Sequence, residues 1–201
     1  GFFKLDDATP SGCSYLALET MFKHKKPDLV ISGINHGANV GEDITYSGTC
    51  GGAMEGTLQG VNSIAVSQLY NNDSLDKFGF DLACEITLEL VQNIFENGYP
   101  LDGREFLNLN IPAVSKNEYK GLKIVPVGQQ NYNTNAQIHR NPRGLEYYWL
   151  GTPGIRYAAD LGYDCDITTL NQNYASLTPI KLDMTSYKSI EILKNWTINE
   201  R

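Results

Sequence analysis

Asn35, Asn39, Glu42, Asp43, Ser47, Thr49 and Cys50 fall within sixteen consecutive residues, and each carries an oxygen or sulfur able to meet a ligand. A side-chain amide oxygen suits a hard cation such as Mg²⁺ or Mn²⁺, which prefers oxygen donors and keeps part of its water shell. Asparagine also tolerates left-handed turns, so Asn35 and Asn39 can equally hold the backbone of a loop. Glu42 and Asp43 can lend charge to such a cation or form a solvated tip. Ser47, Gly48 and Thr49 stand where a helix should begin, and the unpaired N–H groups and dipole of a helix N-terminus attract phosphate. Around them, Ile31 to Gly56 contains seven glycines and no lysine or arginine. An anion held here must therefore be met by backbone amides rather than by cationic side chains. The spacing is neither G-x-G-x-x-G nor G-x-x-x-x-G-K-[ST], which disfavours a dinucleotide fold and a Walker nucleotide loop. Cys50 reads either as a thiolate at a helix start or as a small buried side chain. His36 receives no role, and His24 and His139 read as surface residues.

The elements that must position this loop can be read on either side of it. Residues 28–34, DLVISGI, read as a buried strand of a parallel sheet, and SIAVSQL at 63–69 as another, with small helix-tolerant residues from Thr49 to Gly60 between them. Together they make a βαβ unit. Phe80 to Asn97 reads as an amphipathic helix, with Leu82, Ile86, Leu90 and Ile94 at helical spacing and Gly98 closing it. FLNLNIP at 106–112 is a further strand. Upstream, Thr9-Pro10 opens a helix whose Tyr15, Leu16, Leu18, Met21 and Phe22 form an apolar face, ending in Lys23, His24, Lys25 and Lys26. Alternating strands and helices imply a doubly wound α/β layer with right-handed connections, and a ligand at the carboxyl ends of the strands. After Gly121 the pattern changes to hairpins: LKIVPVG, a stretch rich in asparagine and glutamine from Gln129 to Asn141, then LEYYWLG. Tyr147, Tyr148 and Trp149 suit either subunit contacts or the core of a β subdomain. SYKSIEILKNWTI near the end reads as a helix packed by Ile190, Leu193 and Trp196.

Composition excludes several classes of function. A formal charge of -7 and a pI near 4.9 leave no general attraction to nucleic-acid duplexes or anionic membranes. No apolar run approaches the roughly 20 residues of a membrane span. The cysteines at 13, 50, 84 and 165 form no Cys-x-x-Cys pair, which argues against a zinc site and a disulfide framework. They read as reduced, mostly buried thiols of a cytoplasmic protein. The opening GFFKLDD lacks an initiator methionine and reads as mid-strand, so a missing N-terminal segment is expected.

The run ISGIN-x-G-x-N-x-G-E-D-x-x-YSGT, with GAMEG-x-x-x-G and AVSQ after it, resembles the signature of the SurE family. These are survival-protein 5'-nucleotidases, divalent-metal-dependent acid phosphatases of nucleoside monophosphates. The similarity extends to LDDATPSGC, where the family favours GTP-x-DC, and to LNLNIP, NPRG, EYYWLG and SLTPIKLDMTSY, so it covers nearly the whole chain. Ala8 and Gly12 depart from the glycine and aspartate usual in the first of these blocks. The resemblance implies a Rossmann-like, mostly parallel sheet with a β-hairpin extension and a C-terminal helix. The core would be residues 1–128 and 175–201, with 129–174 a β-rich oligomerisation arm of a homodimer or homotetramer. It implies one Mg²⁺ or Mn²⁺ held by an Asp-Asp pair in a TNDDG motif, by a serine in a following loop, and by the asparagine of SGIN, here Asn35. The first three ligands have no counterpart in this chain; Asp6-Asp7 belongs to a different block. Asn39, Ser47, Gly48 and Thr49 would surround the phosphate, and no residue is singled out as general acid or base. On this reading the chain as it stands is incomplete and inactive; the alternative is a noncatalytic phosphate-binding module of an oligomer.

Overall fold

The structure, a computed structural model, describes residues 1–69, 79–129, 136–150 and 162–196. Side chains of Ala136, Trp149 and Leu150 fall outside that description, as do residues 130–135 and 151–161 of the 129–174 stretch expected to form an arm. In chain order the described elements begin with α1 (Pro10–Leu16), prolonged by a π-helical turn at Ala17–Met21, and β1 (Val30–His36). A 3₁₀ turn at Gly41–Thr45 leads to α2 (Gly48–Leu58), β2 (Ser63–Gln68), α3 (Asp81–Asn97), β3 (Glu105–Ile111) and β4 (Leu122–Ile124). Then come the hairpin strands β5 (Ala136–Arg140) and β6 (Glu146–Leu150), α4 (Asp166–Asn171), β7 (Ala175–Lys181) and α5 (Tyr187–Asn195).

Alternation along β2 sorts the core into two faces. Ile64 and Val66 join Leu107, Leu109 and Ile111 against Ala83, Ile86 and Ile94 of α3. Ala65 joins Phe106 on the opposite face, against Cys50 and Ala53 of α2. The sheet runs β1-β2-β3-β7-β4 and is mostly parallel, only the β3–β7 pair being antiparallel. This is the expected mixed α/β layer, with one difference. The connections β1-α2-β2 and β2-α3-β3 step the same way across the sheet, yet α2 and α3 cover opposite faces. Two such crossovers cannot share a hand, so one of them is left-handed, against the strong right-handed preference.

Other expectations change at the surface. β1 is an edge strand among the described residues, and Ile31 is 45% exposed rather than buried. On the first helix only Leu18 is buried, while Tyr15, Leu16, Met21 and Phe22 are exposed. Ile190, Leu193 and Trp196 are exposed as well, and α5 buries no residue, so it does not pack on the sheet as its periodicity suggests. Cys50 and Cys165 are buried, but Cys13 and Cys84 are not. Although it falls within residues 129–174, α4 packs on the sheet, with Cys165, Ile167 and Leu170 buried beside Val40. His24 and His139 are exposed, as their sequence context suggests.

The glycines near the loop serve close packing as much as conformational freedom. At Gly33, with φ +136°, a Cβ would overlap the Val66 carbonyl oxygen, so β1 approaches β2 as only glycine allows. At Gly56 a Cβ would lie 2.5 Å from Ser63 Oγ and 3.0 Å from Val30 Cβ, which sets the seating of α2 on β1 and β2. Gly56→Ala therefore opposes two effects: helix propensity favours alanine by about 1 kcal/mol, whereas overpacking costs about 1–3 kcal/mol. The variant is expected to be less stable by denaturant unfolding; equal or greater stability would show that the α2 seat is loose.

Candidate phosphate site

The loop leaves β1 at His36 and returns to the fold at Ser47, the N-cap of α2. Ser47 Oγ accepts from the Cys50 N–H at 3.0 Å, satisfying one of the amides a helix start leaves open. Helix geometry gives the Gly48 and Thr49 N–H groups no intrahelical acceptor. Gly48 is exposed, and a Cβ on it would meet Pro10 Cγ and Cδ at 3.3 Å, so the first turns of α1 and α2 touch there.

Beside this helix start runs a groove of about 460 Å³, lined by Pro10, Cys13, Ser32, Gly33, Asn35 and Thr49 among others. Among the described residues no charged side chain lines it. Asn35 Nδ2 donates to the Gly37 carbonyl at 2.7 Å, which fixes the amide orientation and leaves Oδ1 as the end outside that bond. Asn35 and Thr49, distant by fourteen positions in sequence, thus share one groove, whereas Ser47 and Gly48, which precede Thr49 at the helix start, are not among its lining residues.

Asn39 lies elsewhere. It is buried, and its side-chain Nδ2 donates to Ser67 Oγ at 2.6 Å. Its backbone N–H donates to Asn110 Oδ1 at 2.8 Å, and its carbonyl accepts from Asn108 Nδ2 at 2.9 Å and Asn110 Nδ2 at 3.1 Å. It is not among the groove's lining residues. Asn108 and Asn110, two apart on β3, point to the same face and grip the loop through this one residue.

A second anchor, which sequence reasoning missed, is Asp166. The side chain is fully buried, and it accepts from Gly41 N at 2.9 Å, Gly128 N at 2.8 Å and Ile167 N at 2.8 Å. Burial pushes its carboxyl above the usual aspartate range, while the three N–H donors pull it down and Glu42 adds to the rise. The available signal was an acid opening an otherwise neutral helix start, at CDITTL, and the Asn-x-Asn pair inside an apolar strand.

Cys50 is buried, its thiol hydrogen-bonded to Asn108 Oδ1 at 3.8 Å and pushed up to about 11 by desolvation. A thiol so placed stays protonated at neutral pH and is no nucleophile. Among the described residues no group of three or more His, Cys, Asp or Glu is placed to hold a metal ion. A hard dication requires several oxygen ligands, normally with carboxylates among them. The groove's neutral donors, Asn35 Oδ1 with nearby hydroxyls, do not make that set alone.

Comparison with known proteins follows the same outline. Residues 1–134 match the family model described as survival protein SurE. The chain is 76% identical over 196 residues to the 5'-nucleotidase SurE of Campylobacter fetus subsp. fetus, covering 98% of this chain and 77% of that protein. It is 58% identical to the 5'-nucleotidase SurE of Campylobacter curvus, covering 96% of this chain and 74% of that one. A crystal structure of the SurE protein from Aquifex aeolicus superposes with a TM-score of 0.76 at 36% identity, covering 96% of this chain and 77% of the other.

Asp166→Asn tests the anchor with a definite sign. A carboxyl raised in the folded state binds its proton more tightly there than when unfolded, so its contribution to stability is full below the ordinary aspartate value and is lost as pH rises through the folded value. The stability advantage of the parent chain over Asp166→Asn is expected to shrink as pH rises across that window. An advantage that grows with pH would mean that the three N–H donors, not burial, govern the carboxyl.

Proposed function

Because the chain belongs to the SurE family, we propose that it takes part in hydrolysing the phosphate monoester of nucleoside 5'-monophosphates, with the phosphoryl group seated at the N-terminus of α2. The observation that carries this reading is the groove shared by Asn35 and Thr49, beside a helix start whose Gly48 and Thr49 amides have no intrahelical acceptor. In a chain of net charge -7, a phosphate would be met there by oriented N–H groups rather than by lysine or arginine. The amides would stay fixed while charge shifts among the phosphoryl oxygens, the positioning that phosphoryl transfer chiefly requires. Ser47 would hold the helix start in shape. Asn39 would act on the phosphate indirectly, by keeping the loop against β3.

The family resemblance brings with it one divalent cation, Mg²⁺ or Mn²⁺. Of the ligands it implies, residues 1–201 contain Asn35 alone, so these residues do not fit the cation unaided and no step is drawn through it. The alternative reading is a noncatalytic phosphate-binding module of an oligomer. Self-association is part of both: the hairpin exposes Ile138, Leu145 and Tyr148, and α5 exposes Ile192 and Leu193, apolar surface that a homodimer or homotetramer would cover. No described helix is long and apolar enough to cross a membrane, and a cytoplasmic location fits the unpaired cysteines.

The test is phosphate release from AMP, GMP and p-nitrophenyl phosphate by the protein as its cell makes it, with chelator and with Mn²⁺ or Mg²⁺ restored. Release that stops with chelator and returns with metal is expected, and Asn35→Ala should lower turnover about 10- to 100-fold, the worth of a bond to a charged partner. Release that survives chelation overturns the metal reading, and no release from any substrate leaves the binding module.

A further inference from the structure

A second cavity, of about 330 Å³, opens at the carboxyl ends of β2 and β3, where Gln68, Gly79, Asp81, Glu85, Ser115 and Lys116 help line it. Strand alternation directs Gln68 to the same face as Ile64 and Val66, the face opposite α2. Gln68 is only 3% exposed, and its Nε2 donates to the Gly79 carbonyl at 2.8 Å. That bond fixes which end of the amide is which, because exchanging them would set two oxygens against each other. Gln68 Oε1 is then a buried acceptor with no donor among the described residues. Four buried hydroxyls, those of Thr57, Thr169, Ser176 and Thr178, share that state, but of the five only Gln68 lines this cavity, where a water or a ligand can supply the donor.

The rest of the wall has the same character. Asp81 and Glu85 present carboxylates, and the cation Lys116 is paired with Glu85 at 2.7 Å. Acceptors exceed free donors, so the cavity selects a ligand that donates hydrogen bonds and disfavours phosphate. At the same time α3 begins at Asp81 without a side-chain cap, so its first amides can meet an acceptor on the same ligand. β1 and β2 pair Asn35 with Ser67 and His36 with Gln68, so the cavity and the groove at α2 open toward the same end of the sheet, on opposite faces.

We propose that this cavity receives the donor-bearing part of the nucleoside, either ribose hydroxyls or an exocyclic base amine, with Gln68 Oε1 as its acceptor. This deepens the nucleotidase reading and rests on it for the link between the two sites. A nucleotide then lies across the carboxyl edge of the sheet, its phosphate at α2 and its nucleoside at the start of α3. Gln68 becomes the residue that separates nucleotides from simple phosphate esters.

The test is an NMR titration of the ¹⁵N-labelled protein as its cell makes it with adenosine, inosine, 2',3'-dideoxyadenosine and inorganic phosphate, each alone. Adenosine is expected to move the amide signals of Gly79, Asp81, Leu82 and Ser115, and phosphate those of Gly48 and Thr49. Weaker binding of inosine identifies the exocyclic amine as donor; weaker binding of the dideoxynucleoside identifies the ribose hydroxyls. Gln68→Met, close in volume, should weaken adenosine about tenfold and leave phosphate binding unchanged. Should that core variant unfold, Asp81→Asn at the exposed rim should weaken adenosine in a chain with the parent melting temperature. The proposal is overturned if adenosine moves no signal in the cavity, or if both variants fold and bind it as the parent does. Phosphate that leaves Gly48 and Thr49 unmoved would instead refute the phosphate seat, whatever adenosine does.

Discussion

The structure depends on a glycine-rich loop being held rigid by buried polar anchors that belong to other elements. A loop with so many glycines loses much conformational entropy on ordering and buries little apolar surface of its own in return. Asn108 and Asn110 hold it at Asn39, and Asp166 holds it at Gly41, both through short hydrogen bonds in a core that excludes water. In such surroundings a satisfied polar network specifies one arrangement, because any displacement leaves buried groups unpaired. Between the two anchors and the Ser47 cap the chain has little freedom, and the amides of Gly48 and Thr49 acquire a fixed direction.

That rigidity reconciles acidic composition with the proposed site for an anion. Backbone dipoles carry no net charge, and their effect falls off within about one helical turn. They can favour phosphate locally without altering the field of a chain whose net charge is -7. The same arrangement explains why Cys50, at the same helix start, is inert: it points into the core toward Asn108 rather than into the groove. Its desolvation outweighs the favourable position at the end of a helix dipole.

Much of this was legible in the sequence, and the reasons differ by residue. SIAVSQ and LNLNI read as buried strands because β-branched and apolar runs of that length have few other uses, and both strands are where expected. Residues 81–97 follow their helical periodicity closely. The meeting of Asn35 with Thr49 was implied only by resemblance, since no spacing rule joins a strand end to the next helix start across an irregular loop. Asn39 could not be separated from Asn35 by chemistry alone; what distinguishes them is the Asn108–Asn110 pair, more than sixty positions away. Asp166 shows in the sequence only as an acid at a helix start, because its partners are backbone amides from distant segments. Amphipathic patterns misled at Tyr15, Met21 and Phe22 and in α5, where periodicity gives an apolar face but not what covers it. The hand of a crossover follows from which face each helix takes, which the one-dimensional pattern does not encode.

The central claim is that oriented amides at the start of α2 hold the phosphoryl group. It is tested most directly by a crystal structure of the protein with bound AMP. The account predicts phosphoryl oxygens about 3 Å from the Gly48 and Thr49 nitrogens, on the Asn35 side of the groove. A phosphoryl group ordered elsewhere, with those two amides facing only water, would contradict it.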